Sequence, residues 1–127
     1  MLFDTDILVW VLRGNEQAAQ LIDKAAERAI SVVTYMELLQ GAHNKQETKV
    51  IKDFLANFDF HMLPLTENIG HRAAIYMEEY GLKAGICMGD ALVAAAAIEY
   101  NLVLCTANRK HFQPIHEVEI KVFNPRG

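Results

Sequence analysis

The chain has only two cysteines in 127 residues, Cys87 and Cys105, with no CxxC spacing and no histidine nearby at ligand spacing. That excludes a disulfide framework and a cysteine-ligated metal centre, so both are read as reduced and structural. A long apolar run is also missing. Ala91 to Ile98 is closed by Asp90 and Glu99, far short of the roughly 20 residues a membrane-spanning helix needs. The first ten residues hold two aspartates and no Lys or Arg, unlike a secretory signal, which points to the cytoplasm. Three prolines and seven glycines never gather into a linker, nothing repeats, and the length suits one domain over residues 1–127. Positive charge is scarce too: Lys and Arg number 12 against 16 Asp and Glu, a net charge of -4. A broad basic surface for nucleic acid is therefore excluded. Any RNA or DNA must be met locally, for instance where bound cations turn an acidic pocket into a phosphate site.

What is present is a compact core composition, 52% apolar and 22% charged, in short apolar runs alternating with helical stretches. This is the signature of βαβ units and a mainly parallel sheet. The expected strands are Leu2 to Thr5, Ala29 to Val33, Phe60 to Leu63, Leu102 to Thr106 and, more weakly, Glu119 to Phe123. The first two are separated by a short helix over Ile7 to Leu12 and an amphipathic one over Glu16 to Arg28. Thr34-Tyr-Met-Glu37 fits a capping box, with Thr34 as N-cap and Glu37 reaching back from the third helical position. That helix is expected to stop at Gly41 and to be followed by one from about Gln46 to Asn57. Thr66 caps a helix that ends by Gly81. Met88 to Tyr100 is apolar almost all round, as a helix buried on most sides must be. Asn108 is expected to cap a last short helix.

The sequence opens MLFDTDILVW, placing Asp4 and Asp6 where a buried strand should finish. A carboxylate there is costly to keep ionised unless a cation, a helix N-terminus or several donors compensate it. Asp4 lies at the end of the first strand, Glu37 in the first turn after the second, and Asp90 at the start of the buried helix before the fourth. Ligands of parallel α/β sheets bind outside the carboxyl ends of the strands, where strand order reverses. All three acids can face one crevice there, and hard divalent cations take one or two carboxylates plus waters and a substrate phosphate. Each acid also has a plainer reading. Asp4 or Asp6 can cap the helix that follows, Glu37 can serve the capping box, and Asp90 can answer a helix dipole. One shared site explains all three placements, whereas the plainer readings must hold independently.

The segments DTDILVW, SVVTYMELLQGA, MGDALVAAAA and LVLCTANRKHF, in this order and at these separations, resemble the PIN-domain family and, within it, the VapC-type toxins of toxin-antitoxin pairs. The resemblance covers most of the chain. It implies a single three-layer α/β/α domain with a mainly parallel sheet of four to five strands. It also implies Mg²⁺ or Mn²⁺ dependence and endoribonuclease activity. By position it puts the catalytic and metal-binding acids on Asp4, Glu37 and Asp90. Thr5 and Thr106 fall on hydroxyl positions near the metal, and Asn108 on a polar position after the fourth strand. Asp6 stands where many relatives have Asn or Ser, which makes it a supporting residue. A fourth carboxylate of many relatives is His111 here, so one ion is expected and a second is in doubt. Implied partners are RNA, a small antitoxin and a second copy in a homodimer. Trp10, Leu12, Met36 and Leu39 are expected to line part of the antitoxin groove.

The mechanism so implied is phosphodiester hydrolysis, with a metal that orients a water and neutralises phosphate oxygens. Asp4 and Asp90 hold the ion, and Glu37 ligates through water or accepts the water's proton. Arg13, Arg109 and Lys110 are candidates to grip the RNA backbone. Two other catalytic families fit poorly. A haloacid-dehalogenase-like phosphatase shares the opening DxD but needs a second acidic motif, and Gly89-Asp90 is followed by Ala94 where its second Asp should be. A response-regulator receiver needs an Asp where the third strand ends in Met62-Leu63-Pro64. A non-catalytic PIN-like interaction module is the remaining alternative, against which the intact Asp4, Glu37 and Asp90 argue.

Overall fold

The computed structural model describes residues 1–127. Five strands, β1 (Leu2–Phe3), β2 (Ala29–Ser31), β3 (His61–Leu63), β4 (Leu104–Thr106) and β5 (Ile120–Val122), form one sheet. Its order is β3-β2-β1-β4-β5 and every pairing is parallel. The seven helices are α1 (Thr5–Leu12), α2 (Glu16–Lys24), α3 (Val32–Gln40), α4 (Lys45–Asn57), α5 (Glu67–Ala84), α6 (Met88–Glu99) and α7 (Arg109–Phe112). No helix is long and apolar enough to cross a membrane. The expected α/β architecture with a parallel sheet is therefore present.

Strand alternation sorts the core into two halves. Leu2, Ala29 and Leu104 point to one side, where Ile69, Ala73 and Tyr76 of α5 and Ala91, Val93 and Ala94 to Ala97 of α6 are buried with them. Phe3, Ile30 and Cys105 point to the other, against Ile7 and Leu8 of α1, Ala18 and Ile22 of α2, and Ile51 and Leu55 of α4. Because β1 is central and covered on both faces, Leu2 and Phe3 are both fully buried, as an uninterrupted apolar run requires. The alanines of α6 let that helix lie close to both α5 and the sheet. From β1 the chain moves outward through β2 and β3, then returns to place β4 on the other side of β1. The order thus reverses at β1, and the switch point lies between β1 and β4.

Several boundaries differ from the sequence reading, each for a local reason. All strands are two or three residues long, and after β1 and β2 the helices begin almost at once, at Thr5 and Val32. The helix after β2 starts at Val32, with Ser31 as its cap: the Ser31 hydroxyl accepts from the Val33 amide at 3.1 Å. Thr34 is therefore not the cap but a fully buried residue of the first turn. Glu37, one turn further in, does not reach back to close a capping box. The amphipathic helix α2 stops at Lys24 rather than Arg28, whose guanidinium instead donates to the Ile22, Asp23 and Phe58 carbonyls. Helix α5 passes through Gly81 and ends at Ala84, where Gly85 adopts φ +67°, the left-handed conformation that glycine accepts at a helix end. Thr66 does cap α5, its hydroxyl accepting from the Ile69 amide.

Candidate active site

Asp4 leaves β1 at the switch point. Its backbone amide donates to the Cys105 carbonyl, continuing the ladder with β4 for one more residue. Its side chain caps α1, Oδ1 accepting from the Thr5 amide at 2.8 Å. The capping and the functional readings of Asp4 are thus compatible, because the second oxygen, Oδ2, is turned to Thr106 Oγ1, which donates to it at 2.8 Å. Thr5 Oγ1 donates to Glu37 Oε1 at 2.6 Å and lies 3.3 Å from Thr34 Oγ1. The four buried polar or charged residues of the whole chain are Asp4, Ser31, Thr34 and Thr106. All four stand at the carboxyl ends of β1, β2 and β4. Buried polar groups are kept where they have partners, and this protein keeps them in one place.

Around this edge opens a cleft of about 390 Å³ lined by Asp4, Thr5, Asp6, Val9, Trp10, Arg13, Glu37, Asp90, Asn108 and His111. The structure therefore brings together Asp4, Glu37 and Asp90 from three distant parts of the chain. It also brings Thr5, Asp6, Asn108, His111 and Arg13 to the same opening. Thr106 lies beneath it. Arg109 and Lys110 sit on α7 beside the cleft but do not line it. His111 approaches Asp90, with 3.3 Å between Nδ1 and Oδ2. Asn108 precedes α7 without capping it through its side chain, contrary to the sequence reading. Its amide is spent on Asp6 Oδ2 instead, at 3.0 Å. Gly89 separates the first turn of α6 from α3: a Cβ there would lie 3.4 Å from Glu37 Oε2.

The electrostatics gather acidic groups with little positive charge to offset them. Burial first, and the neighbouring charge of Asp6 second, push Asp4 up to about 7, against the lowering effect of its bonds from Thr106 and Thr5. Asp90 adds to the rise. Asp6 is raised as well, chiefly by burial, with the Ala107 amide pulling the other way. No Lys or Arg lies within salt-bridge distance of any of these acids, and His111 is the one ionic neighbour of Asp90. Oδ1 of Asp6 is buried without a hydrogen-bond partner. All-oxygen donors, unneutralised and crowded, suit a hard divalent ion. The side chains do not converge into a closed cage of three ligands.

A larger crevice, about 690 Å³, lies between α5, the end of α6 and the segment before β5. Its size does not make it the better site. Arg72 there is neutralised by Glu99 and Glu117, and the Tyr76 hydroxyl donates to Glu117. Arg72, Tyr76, Glu99 and Glu117 there thus face one another. A separate apolar groove of about 390 Å³ adjoins the acidic cleft, lined by Val9, Leu12, Arg13, Glu37, Leu38, Gly41, Ala42, His43, Glu47, Val50 and Ile51. Of the residues expected along such a groove, Leu12 lines it, Trp10 lines the acidic cleft, and Met36 and Leu39 line neither. Sequence reasoning missed Thr34, assigning it to a cap, and missed Val50 and Ile51, which helical spacing reads only as a buried face.

The family model for the PIN domain matches residues 1–116. The chain belongs to the PIN-domain family. Ribonuclease VapC10 of Mycobacterium tuberculosis is 34% identical over 123 residues, covering 94% of this chain and 90% of that protein. Ribonuclease VapC1 of Methanocaldococcus jannaschii is 26% identical over 126 residues, 98% of this chain and 87% of that one. Among solved structures, a toxin-antitoxin complex from Klebsiella pneumoniae contains a chain with TM-score 0.78 and 29% identity, covering 98% of this chain and 96% of its own. As a PIN domain, this protein has its acids where the sheet of the fold reverses, the position that the strand order alone marks as the binding crevice.

Proposed function

We propose that this PIN domain is a divalent-metal-dependent endoribonuclease acting as the toxin of a toxin-antitoxin pair, with Asp4, Glu37 and Asp90 as its catalytic acids. The observation that carries the proposal is the environment of Asp4, buried beside Asp6 and Asp90 with no Lys or Arg to neutralise it. The relatives' descriptions as VapC ribonucleases agree with it. Asp4 and Asp90 would hold one Mg²⁺ or Mn²⁺, which when bound supplies charge neutralisation at the scissile phosphate and a more acidic water. Thr106 fixes the Asp4 carboxylate from below, and Thr5 fixes Glu37 from the side. Held by Thr5 through Oε1, Glu37 keeps Oε2 free to take a proton from the attacking water. Arg13 at the cleft and Arg109 and Lys110 beside it would meet the flanking phosphates.

The test is cleavage of a fluorescent RNA by the purified chain. Cleavage should require added Mg²⁺ or Mn²⁺, stop with chelator, and be lost in Asp4→Asn and Asp90→Asn. Cleavage persisting in both variants would overturn the site assignment. No cleavage of any RNA would favour the interaction module.

The apolar groove shares Val9, Arg13 and Glu37 with the acidic cleft. We assign it to an antitoxin segment whose apolar side chains cover Leu12, Val50 and Ile51 and whose basic residue reaches the carboxylates. Leu12 and Val50 are exposed, so Leu12→Asp and Val50→Asp should keep the fold and the cleavage activity while releasing the antitoxin. Retained binding by both would move the antitoxin elsewhere. Resemblance to the VapC type also implies a homodimer acting in the cytoplasm, and light scattering reads its mass.

A further inference from the structure

We propose that Asp6 is a positioning residue that straps the turn between β4 and α7 onto α1, and so sets where the basic residues of α7 stand at the mouth of the cleft. The proposal rests on the nuclease reading for its consequence, not for its geometry. Oδ2 of Asp6 accepts from the Ala107 amide at 3.0 Å and from Asn108 Nδ2 at 3.0 Å; Thr106 Oγ1, whose one proton goes to Asp4, lies 3.4 Å away. One oxygen thereby takes two donors from two consecutive residues of a segment about a hundred positions away in the chain.

Besides this strap, the segment is held by the fully buried Phe112 and by the Asn108 backbone amide, which donates to Thr106 Oγ1 at 3.0 Å. Helix α7 has four residues, only Phe112 of them buried, its N-terminus lacks a side-chain cap, and the Asn108 side-chain amide donates to Asp6. Immediately beyond the strap come Arg109, Lys110 and His111, and His111 touches Asp90. A loosened strap leaves Asp4 with its bonds to Thr5 and Thr106. What it displaces is the register of the basic segment against the cleft. The loss should therefore fall on capture of RNA rather than on the acids.

What the turn requires of Asp6 is an acceptor oxygen, not a charge, since the second oxygen has no partner. That separates two substitutions. Asp6→Asn and Asp6→Leu remove the same charge, but only leucine removes the acceptor. Relative to Asp6→Asn, Asp6→Leu should raise the KM for RNA about tenfold, with kcat and direct Mn²⁺ binding within about threefold. Asn108→Ala, at an exposed position, should reproduce the KM rise from the other end of the strap. Amide hydrogen exchange, which needs no activity, should quicken at Ala107 by about tenfold in Asp6→Leu and remain near wild type in Asp6→Asn.

Equal impairment of the asparagine and leucine variants would make charge the operative property and overturn the strap. A difference confined to kcat or to Mn²⁺ binding, or an unchanged exchange rate at Ala107, would overturn it as well. If the wild type cleaves no RNA, the nuclease reading falls while the exchange measurement still decides the strap.

Discussion

Replacing Asp4 with asparagine should stabilise the metal-free protein at neutral pH while abolishing cleavage. The magnitude follows from the carboxyl's environment. Its ordinary value of 3.8 is raised to about 7 in the fold. Each unit corresponds to about 1.4 kcal/mol, so the ionised side chain costs the folded state up to about 4 kcal/mol above pH 7. The sign follows from proton counts: between pH 4 and about 7 the folded state keeps a proton that the unfolded chain has released. Metal-free stability should therefore fall as pH rises through that window and level off above it. Asparagine keeps most of the bonds. Its oxygen can accept from the Thr5 amide, and its amide can donate to Thr106 Oγ1, whose own proton can turn to Asp6 Oδ2 at 3.4 Å. Allowing about 1 kcal/mol for imperfect exchange, Asp4→Asn should gain about 1–3 kcal/mol at pH 8 and nothing at pH 4.5. Urea denaturation in chelator at the two pH values measures this. Adding Mg²⁺ should then stabilise the wild type and leave the variant unmoved. A wild type with a flat profile from pH 4.5 to 7.5, or a variant less stable at pH 8, would refute the reasoning.

Two further substitutions separate chemistry from packing. Glu37 is exposed and its link to Thr5 needs only an acceptor, so Glu37→Gln should leave urea stability within about 0.5 kcal/mol. In single-turnover RNA assays the same variant should slow cleavage by about a hundredfold or more. Ala95 is fully buried in α6 with no room for extra methylenes, so Ala95→Leu should cost about 1–3 kcal/mol by overpacking, read as a lower urea midpoint.

The order of elements and the parallel sheet were legible because alternation of short apolar runs with helical spacing leaves few other solutions. The boundaries were less so. Val32 and Val33 read as strand because β-branched side chains favour it, yet Ser31 already turns the chain into α3. The T-x-x-E spacing at Thr34 matches a capping box equally well in the wrong frame, since capping depends on where the sheet ends and that is decided by pairing with β1 and β3. Gly81 looked like a stop because glycine costs a helix about 1 kcal/mol relative to alanine. Continued packing of α5 on α6 outweighs that cost, and the positive φ of Gly85 marks the real end.

The candidate site divides along the same line. Asp4 and Asp90 could be found in the sequence because they break a rule: a carboxylate beside an apolar run asks for compensation. The groups that hold them break none. Thr5 and Thr106 entered only through the family resemblance, and the role of Thr34, in the first turn of α3, appears only when β1, β2 and β4 are laid side by side. Asp6 is the instructive case, because the resemblance gave it only a supporting role beside Asp4 while its hydrogen bonds tie it to the turn after β4. A rule about charge finds both aspartates of the opening Asp-Thr-Asp. Only the direction of the helix that starts between them separates them, aiming Asp4 at the hydroxyl of Thr106 beneath the cleft and Asp6 at the backbone beside it.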